Sequence, residues 1–300
     1  MKTTLIIGLL LFTLFAALPG SSFSAADCFT MSYSGQGATG TCATSFEIRG
    51  REPSAPGTYP VFVYTVGTLE SITNNGAADA AVAGMADRGF VAAAVAYNSL
   101  TFAGCGGISD KARCIYDPTR QTSAITRLCS RAKADCSKGI VVGGFSQGSV
   151  IATLARNFDS RVRAAWGMGE GVQYAFFNLR SCMANGNRAL TSDRLRAVNG
   201  QSDEFVSAGQ NSGRNQAREL TGFICGANDF SCLQANGSGW YIVRNAEING
   251  GDAEHCYMRL SRNNVFQCLG SAGVVNDQWK NGAVPWSLNS NLDWLKSFTL

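Results

Sequence analysis

The segment Gly139-Ile140-Val141-Val142-Gly143-Gly144 runs without a break into Phe145-Ser146-Gln147-Gly148, and this succession constrains the fold more than any other stretch of the chain. Consecutive β-branched residues favour an extended segment, and an uninterrupted apolar run reads as a strand covered on both faces. From Gln147 to Asn157 the composition reads as a helix. The turn between them is so short that only small residues fit on either side of Ser146, and Gly144 and Gly148 let strand and helix approach without side-chain collision. A strand that enters a helix this tightly belongs to a sheet with helices packed on its faces.

The rest of the chain continues the alternation. Pro60 to Thr65, Phe90 to Tyr97, Arg163 to Gly167, Leu195 to Asn199 and Tyr241 to Ile248 read as further strands. Ala77 to Asp87, Thr119 to Asp135 and a segment around Asn291 to Phe298 read as helices. Asn98 to Cys114, Gln173 to Thr191 and Gly222 to Gly239 are rich in Gly, Asn, Ser and Cys and read as long loops of the kind that shape a binding site. The expected class is α/β, with a mostly parallel central sheet flanked by helices and with disulfide-stabilised loops. Hydrophobic residues make up 45% of the chain and charged residues only 15%, enough to build a core and too apolar for disorder.

Residues 1–26 run from Lys2 through an apolar stretch to small residues, the layout of a secretory signal peptide, leaving 27–300 as one domain. No later segment approaches the ~20 apolar residues of a membrane span, so the expectation is a secreted, extracellular or periplasmic protein without stable membrane insertion. All 11 cysteines follow the cleavage point and would meet an oxidising compartment. Neighbours in sequence suggest Cys28 with Cys42, Cys105 with Cys114, Cys129 with Cys136, Cys225 with Cys232 and Cys256 with Cys268, with Cys182 left over, although sequence alone does not determine connectivity. There is no C-x-x-C, and a single histidine cannot furnish a His-rich zinc site, so no metal or other cofactor is expected. The formal net charge of +4 is mild; Arg120, Arg127, Arg131 and Lys133 read as the solvated face of one helix, and no nucleic-acid partner is expected. Asn236-Gly237-Ser238 is a glycosylation sequon that reads equally well as an ordinary loop.

A serine on a strained turn at a helix N-terminus is presented for attack, but its hydroxyl needs a base within hydrogen-bond reach. His255 is the only imidazole in the chain and follows the last expected strand. The base needs an acid to orient it, and Asp203 follows the strand Leu195 to Asn199, in the chain order serine, acid, histidine; Glu204 and Asp229 are the alternatives. The oxyanion of a tetrahedral intermediate would be met by the backbone N–H of Gln147 and a second N–H from the loop Val66-Gly67-Thr68, with Thr68 the candidate donor.

Gly143-Gly144-Phe145-Ser146-Gln147-Gly148 resembles the nucleophile turn of the α/β-hydrolase superfamily, as found in carboxylesterases, acyl-thioesterases and cutinases. Gly200-Gln201-Ser202-Asp203-Glu204-Phe205-Val206 is similar to the glycine-then-aspartate turn that carries the acid in many members. Val66 stands where a histidine is usual, and a whole strand separates Asp203 from His255, unlike the close spacing in cutinases, so a polyester substrate is not implied. The resemblance implies a secreted serine hydrolase acting on a small-molecule, lipid or polymer ester. Tyr174, Phe176, Phe177 and Trp240 are candidates for an apolar pocket or simply for core cover. A peptidase or acyltransferase with the same three residues, and a non-catalytic binding protein on the same fold, are the alternatives; the oligomeric state is left open.

Overall fold

The valine-rich segments form the middle of a sheet. The computed structural model describes residues 26–174, 177–207, 213–226, 229–260 and 274–300. It begins with β1 (Ala26–Gln36) and β2 (Cys42–Pro53), an antiparallel hairpin, followed by β3 (Val61–Thr65), β4 (Val91–Val95), β5 (Ile140–Phe145) and β6 (Val162–Met168). A small ribbon of β7 (Gln173–Tyr174) and β8 (Phe177–Asn178) stands apart from the main sheet, which β9 (Leu195–Gly200), β10 (Ser231–Leu233) and β11 (Gly239–Val243) complete. The spatial order is β1-β2-β4-β3-β5-β6-β9-β11-β10. From β4 to β11 the neighbours are parallel, and the antiparallel strands lie at the two edges. Every residue of β3, β4 and β5 is buried, which is why their sequences are apolar throughout rather than alternating.

Strand order reverses at β3: the chain steps to β4 on one side and returns to β5 on the other. Helices after the two strands therefore cover opposite faces, and this topology places the expected crevice between the C-terminal ends of β3 and β5. The helix after β3, α1 (Gly76–Asp87), starts where the Asn75 side chain accepts from the Ala78 amide, and it stops before Gly89, which takes φ 87°. Across the crevice, α4 (Gln147–Thr153) leaves β5 directly after Ser146. The C-terminal helix Leu288–Lys296 is clipped to the end of α1 by Arg88, whose Nε donates to Asp293 at 2.7 Å. This is an α/β fold with a mostly parallel central sheet flanked by helices, compatible with an α/β-hydrolase-like fold.

Several sequence expectations are corrected. The segment Asn98 to Cys114 is not all loop: α2 (Cys105–Tyr116) occupies its second half and buries Ile108, Ala112 and Ile115. The helix expected over Thr119 to Asp135 shrinks to α3 (Ala124–Cys129), so of the four basic residues assigned to it only Arg127 is helical. Arg131 and Lys133 instead reach back to Glu52 and Asp27 on the hairpin. The last parallel strand ends at Val243, because residues 245–247 form a 3-10 turn closed by Glu247, whose carboxylate accepts from the Arg244 amide.

The disulfides Cys129–Cys136 and Cys225–Cys232 match the nearest-neighbour pairing, but Cys42 joins Cys114 and Cys105 joins Cys182, leaving Cys28 free and exposed. Helix geometry explains one correction: Cys105 and Cys114 are at opposite ends of α2, about 13 Å apart along the axis and beyond disulfide reach. The hairpin register explains the other. Cys28 faces Arg51 while Cys42 faces Gln36, about 26 Å away along the ribbon. Cys256 is disulfide-bonded, while Cys268, its expected partner, lies outside the described residues, as do Phe176 and the expected signal segment up to residue 25.

Candidate active site at the C-terminal edge of the sheet

β5 ends at Phe145 and α4 begins at Gln147, so Ser146 alone makes the turn, at φ 52° and ψ −121°. Non-glycine residues rarely occupy that region, and it persists only where surrounding contacts impose it. Here the Ser146 amide donates to Met168 O at 2.8 Å, and Ser146 O accepts from the Ser149 amide at 3.0 Å and the Ser149 hydroxyl at 2.6 Å. The flanking glycines serve close approach rather than unusual dihedrals. A Cβ on Gly148 would lie 2.2 Å from Thr65 O, and one on Gly144 would lie 2.5 Å from the Gly148 carbonyl.

Asp203 sits three residues past the end of β9, fully buried. Its Oδ1 accepts from the amides of Phe205 at 2.9 Å and Val206 at 3.1 Å, so the carboxylate caps the short helix α6 (Glu204–Ser207) and is held in one orientation. Its Oδ2 lies 2.8 Å from Nδ1 of His255. The alternatives are elsewhere: Glu204 is exposed, and the Asp229 carboxylate accepts from the Gly226 amide in its own turn.

The loop that carries His255 lies across the ends of the strands. Ala253 O accepts from the Ser202 amide at 2.9 Å, and the Asn245 side chain accepts from the Ala253 amide while it hydrogen-bonds with Ser202. At the end of β9 a Cβ on Gly200 would lie 2.0 Å from Ala253 O, so only glycine lets the loop cross there. Past β6, a Cβ on Gly169 would lie 2.6 Å from Cε1 of His255. The imidazole is sandwiched by the rings of Phe145 at 4.9 Å and Phe205 at 4.6 Å. Its Nε2 is buried and has no hydrogen-bond partner among the described residues. The turn at Ser146 and the His255–Asp203 pair thus meet at one edge of the sheet, through Phe145 and Gly169.

The Gln147 backbone N–H occupies the first position of α4, where helix N–H groups have no acceptor within the helix. Its side chain is pinned away from that amide: Nε2 donates to Thr101 O at 2.8 Å and Oε1 accepts from Lys111 at 3.3 Å. Burial lowers the Lys111 pKa to about 8. Thr68 lies in a turn, Gly67 to Glu70, closed by the Glu70 amide donating to Gly67 O at 3.2 Å. The loop abuts the serine turn, since a Cβ on Gly148 would lie 2.4 Å from Val66 O and one on Gly67 would lie 2.9 Å from Cδ1 of Phe145.

Beside His255, Tyr174 donates its hydroxyl to Gly169 O at 2.6 Å, and its ring stands 5.0 Å from that of Phe102, which also contacts Phe177 at 4.8 Å. The Cys105–Cys182 bridge fastens the start of α2 to the segment after Phe177. Trp240, by contrast, is fully buried and donates its indole N–H to Phe223 O, which makes it core cover. Behind Gly169, Glu170 is fully buried, accepts from the Thr153 hydroxyl, and leaves Oε2 without a partner among the described residues; burial raises its pKa to about 8 despite that hydrogen bond and nearby Arg188. Among the described residues no group of His, Cys, Asp or Glu side chains is arranged to hold a metal ion.

Sequence reading overlooked Phe205, Asn245, Glu70 and Arg259. Each acts through a contact with a distant segment, and nothing in its own neighbourhood marks it. The sequence matches no protein-family model and no curated protein.

Proposed function

We propose that this chain is a serine hydrolase that cleaves carboxylic esters through an acyl-enzyme on Ser146. The observation that carries the reading is the buried His255–Asp203 pair, 2.8 Å apart, whose imidazole stands 4.9 Å from the ring of Phe145, the residue before a serine held at positive φ on a strand-to-helix turn. On this reading Nε2 is the nitrogen left to receive the proton of Ser146, since Nδ1 is engaged by Asp203.

In the proposed cycle Ser146 Oγ attacks the ester carbonyl carbon while its proton passes to Nε2 of His255. Asp203 holds Nδ1–H and stabilises the imidazolium. The oxyanion is met by the Gln147 N–H at the start of α4, with Thr68 N–H as the second donor. Collapse of the intermediate expels the alcohol, which takes the proton from Nε2, and leaves an acyl-serine. Water then adds with His255 as base, the carboxylic acid departs, and Ser146 regains its proton. No cofactor enters the cycle. The aromatic group of Phe102, Tyr174 and Phe177 supports an apolar acyl or aryl portion of the substrate.

The experiment is hydrolysis of short and medium acyl p-nitrophenyl esters, with fluorophosphonate labelling in parallel, by wild type, Ser146→Ala and His255→Ala. Activity in wild type that disappears in both variants, with labelling mapped to Ser146, is the expected result. A folded wild type that neither turns over nor labels would remove the reading and favour a binding protein on the same fold.

A further inference from the structure

The loop that carries His255 does not stop at the imidazole. Beyond it, Arg259 is fully buried, and its Nη2 lies 2.6 Å from Oε1 of Glu70, also buried, in the turn that contains Thr68. The other oxygen of Glu70 accepts from the Gly67 amide at 3.0 Å and from Asn75 Nδ2 at 3.1 Å. One carboxylate therefore closes the turn Gly67 to Glu70 on itself and ties it to the start of α1 and to the histidine loop. The Arg259 guanidinium also stands over the ring of Phe145, 5.0 Å from its centroid, on the residue before Ser146. The histidine loop crosses the sheet edge from Gly200 at the end of β9, past Gly169 after β6 and Phe145 at the end of β5, and reaches Glu70 after β3.

We propose that Glu70 and Arg259 are a positioning pair for the oxyanion-binding turn, setting the backbone N–H of Thr68 in register with the base four residues before Arg259. The inference rests on the serine-hydrolase reading and extends it. A surface ion pair would do little here, but a buried pair whose carboxylate also holds the Gly67 amide and the Asn75 side chain fixes the geometry of the turn, and a displacement of an oxyanion donor is felt in the transition state and not in substrate binding. Neither residue touches the reacting atoms.

The test uses Glu70→Gln, which keeps the volume and removes the charge, and Arg259→Lys, which keeps the charge and loses the guanidinium fork, with rates divided by the concentration of sites that fluorophosphonate titrates to completion, so that an unfolded fraction drops out. Arg259→Met leaves a carboxylate buried without its partner and is the variant at risk of unfolding, so it is read only alongside the double variant Glu70→Gln/Arg259→Met. The expected result is a fall in kcat of at least tenfold for Glu70→Gln with KM within twofold, a parallel loss of affinity for a boronic acid transition-state analogue, partial recovery in Arg259→Lys relative to Arg259→Met, and an unchanged acidic limb of the pH profile, because Asp203 and His255 are untouched. A lowered melting temperature with kcat within twofold of wild type overturns the proposal, since the pair would then be only a brace, as does a loss confined to KM. A wild type without activity or labelling overturns the serine-hydrolase reading and this proposal together, whereas an active wild type with an unaffected Glu70→Gln overturns this proposal alone.

Discussion

Phe205 holds His255 twice over: its ring stands 4.6 Å from the imidazole, and its backbone amide donates at 2.9 Å to the carboxylate that the imidazole meets. The ring sets where His255 can sit and the amide sets where Asp203 can point, so one residue fixes both ends of the pair. Aromatic contacts of this kind contribute about 0.5–1.5 kcal/mol. On the proposed mechanism Phe205→Ala keeps the amide and loses the ring, and kcat/KM is expected to fall about 3- to 10-fold. A rate equal to wild type in a folded Phe205→Ala would show that the ring merely fills space.

On the proposed mechanism Asp203→Asn removes the charge that would stabilise the imidazolium and exchanges an acceptor for a donor facing Nδ1. The expected loss in kcat is about 10³- to 10⁴-fold, against less than about twofold for Glu204→Gln, whose side chain is exposed. Steady-state kinetics of the two variants side by side check this, and comparable losses in both would dissociate the 2.8 Å contact from activity.

Glu170 predicts a pH dependence of stability that does not involve the reaction. Its pKa rises from 4.5 in the free residue to about 8 in the fold, chiefly because burial disfavours the charged form. Below the lower value folded and unfolded chains both hold the proton. Between about 4.5 and about 8 only the unfolded chain releases it, so stability falls as pH rises, and the fall levels off above about 8. Each tenfold difference in proton affinity is worth about 1.4 kcal/mol, so the whole effect is a few kcal/mol at most. Glu170→Gln should gain on wild type steadily from pH 5 to pH 8 in denaturant titrations. A constant gap between the two across that range would mean the carboxyl is not the source.

The cysteine pattern makes a covalent prediction. Non-reduced peptide mapping should recover Cys42 linked to Cys114 and Cys105 linked to Cys182, with Cys28 open to alkylation. Replacing both Cys105 and Cys182 by serine should cost about 2–4 kcal/mol of stability. On the proposed function, because that bridge anchors α2 beside Phe102 and Phe177, the same variant should raise KM for long acyl chains more than for acetate esters. Peptides joining Cys105 to Cys114 would contradict the helix that separates them.

Sequence reading located the central strands within a residue or two and placed Ser146 on the turn between β5 and α4, because both are local. Runs such as Val61 to Thr65 and Ile140 to Val142 are extended whatever surrounds them, and Gly144 and Gly148 mark a close approach before any partner is known. It overlooked α2, whose glycines and cysteines read as loop, since that helix is held by burial of Ile108, Ala112 and Ile115 and not by propensity. Two of the expected disulfide pairings failed in the same way. Adjacency in sequence predicted Cys129–Cys136, but Cys105 and Cys182 are 77 residues apart and meet only once the fold is made.

By itself the sequence determined a sheet of apolar parallel strands, a tight serine turn within it, and a single imidazole in the whole chain. Only the tertiary structure decided which carboxylate meets that imidazole, that Gly200 lets the histidine loop cross β9, and that Arg259 finishes the crossing on Glu70. The reason is physical. Propensity and hydrophobic periodicity are properties of neighbouring residues and are written along the chain, whereas a buried ion pair or an oriented hydrogen bond depends on where two remote segments come to rest and leaves no pattern in either.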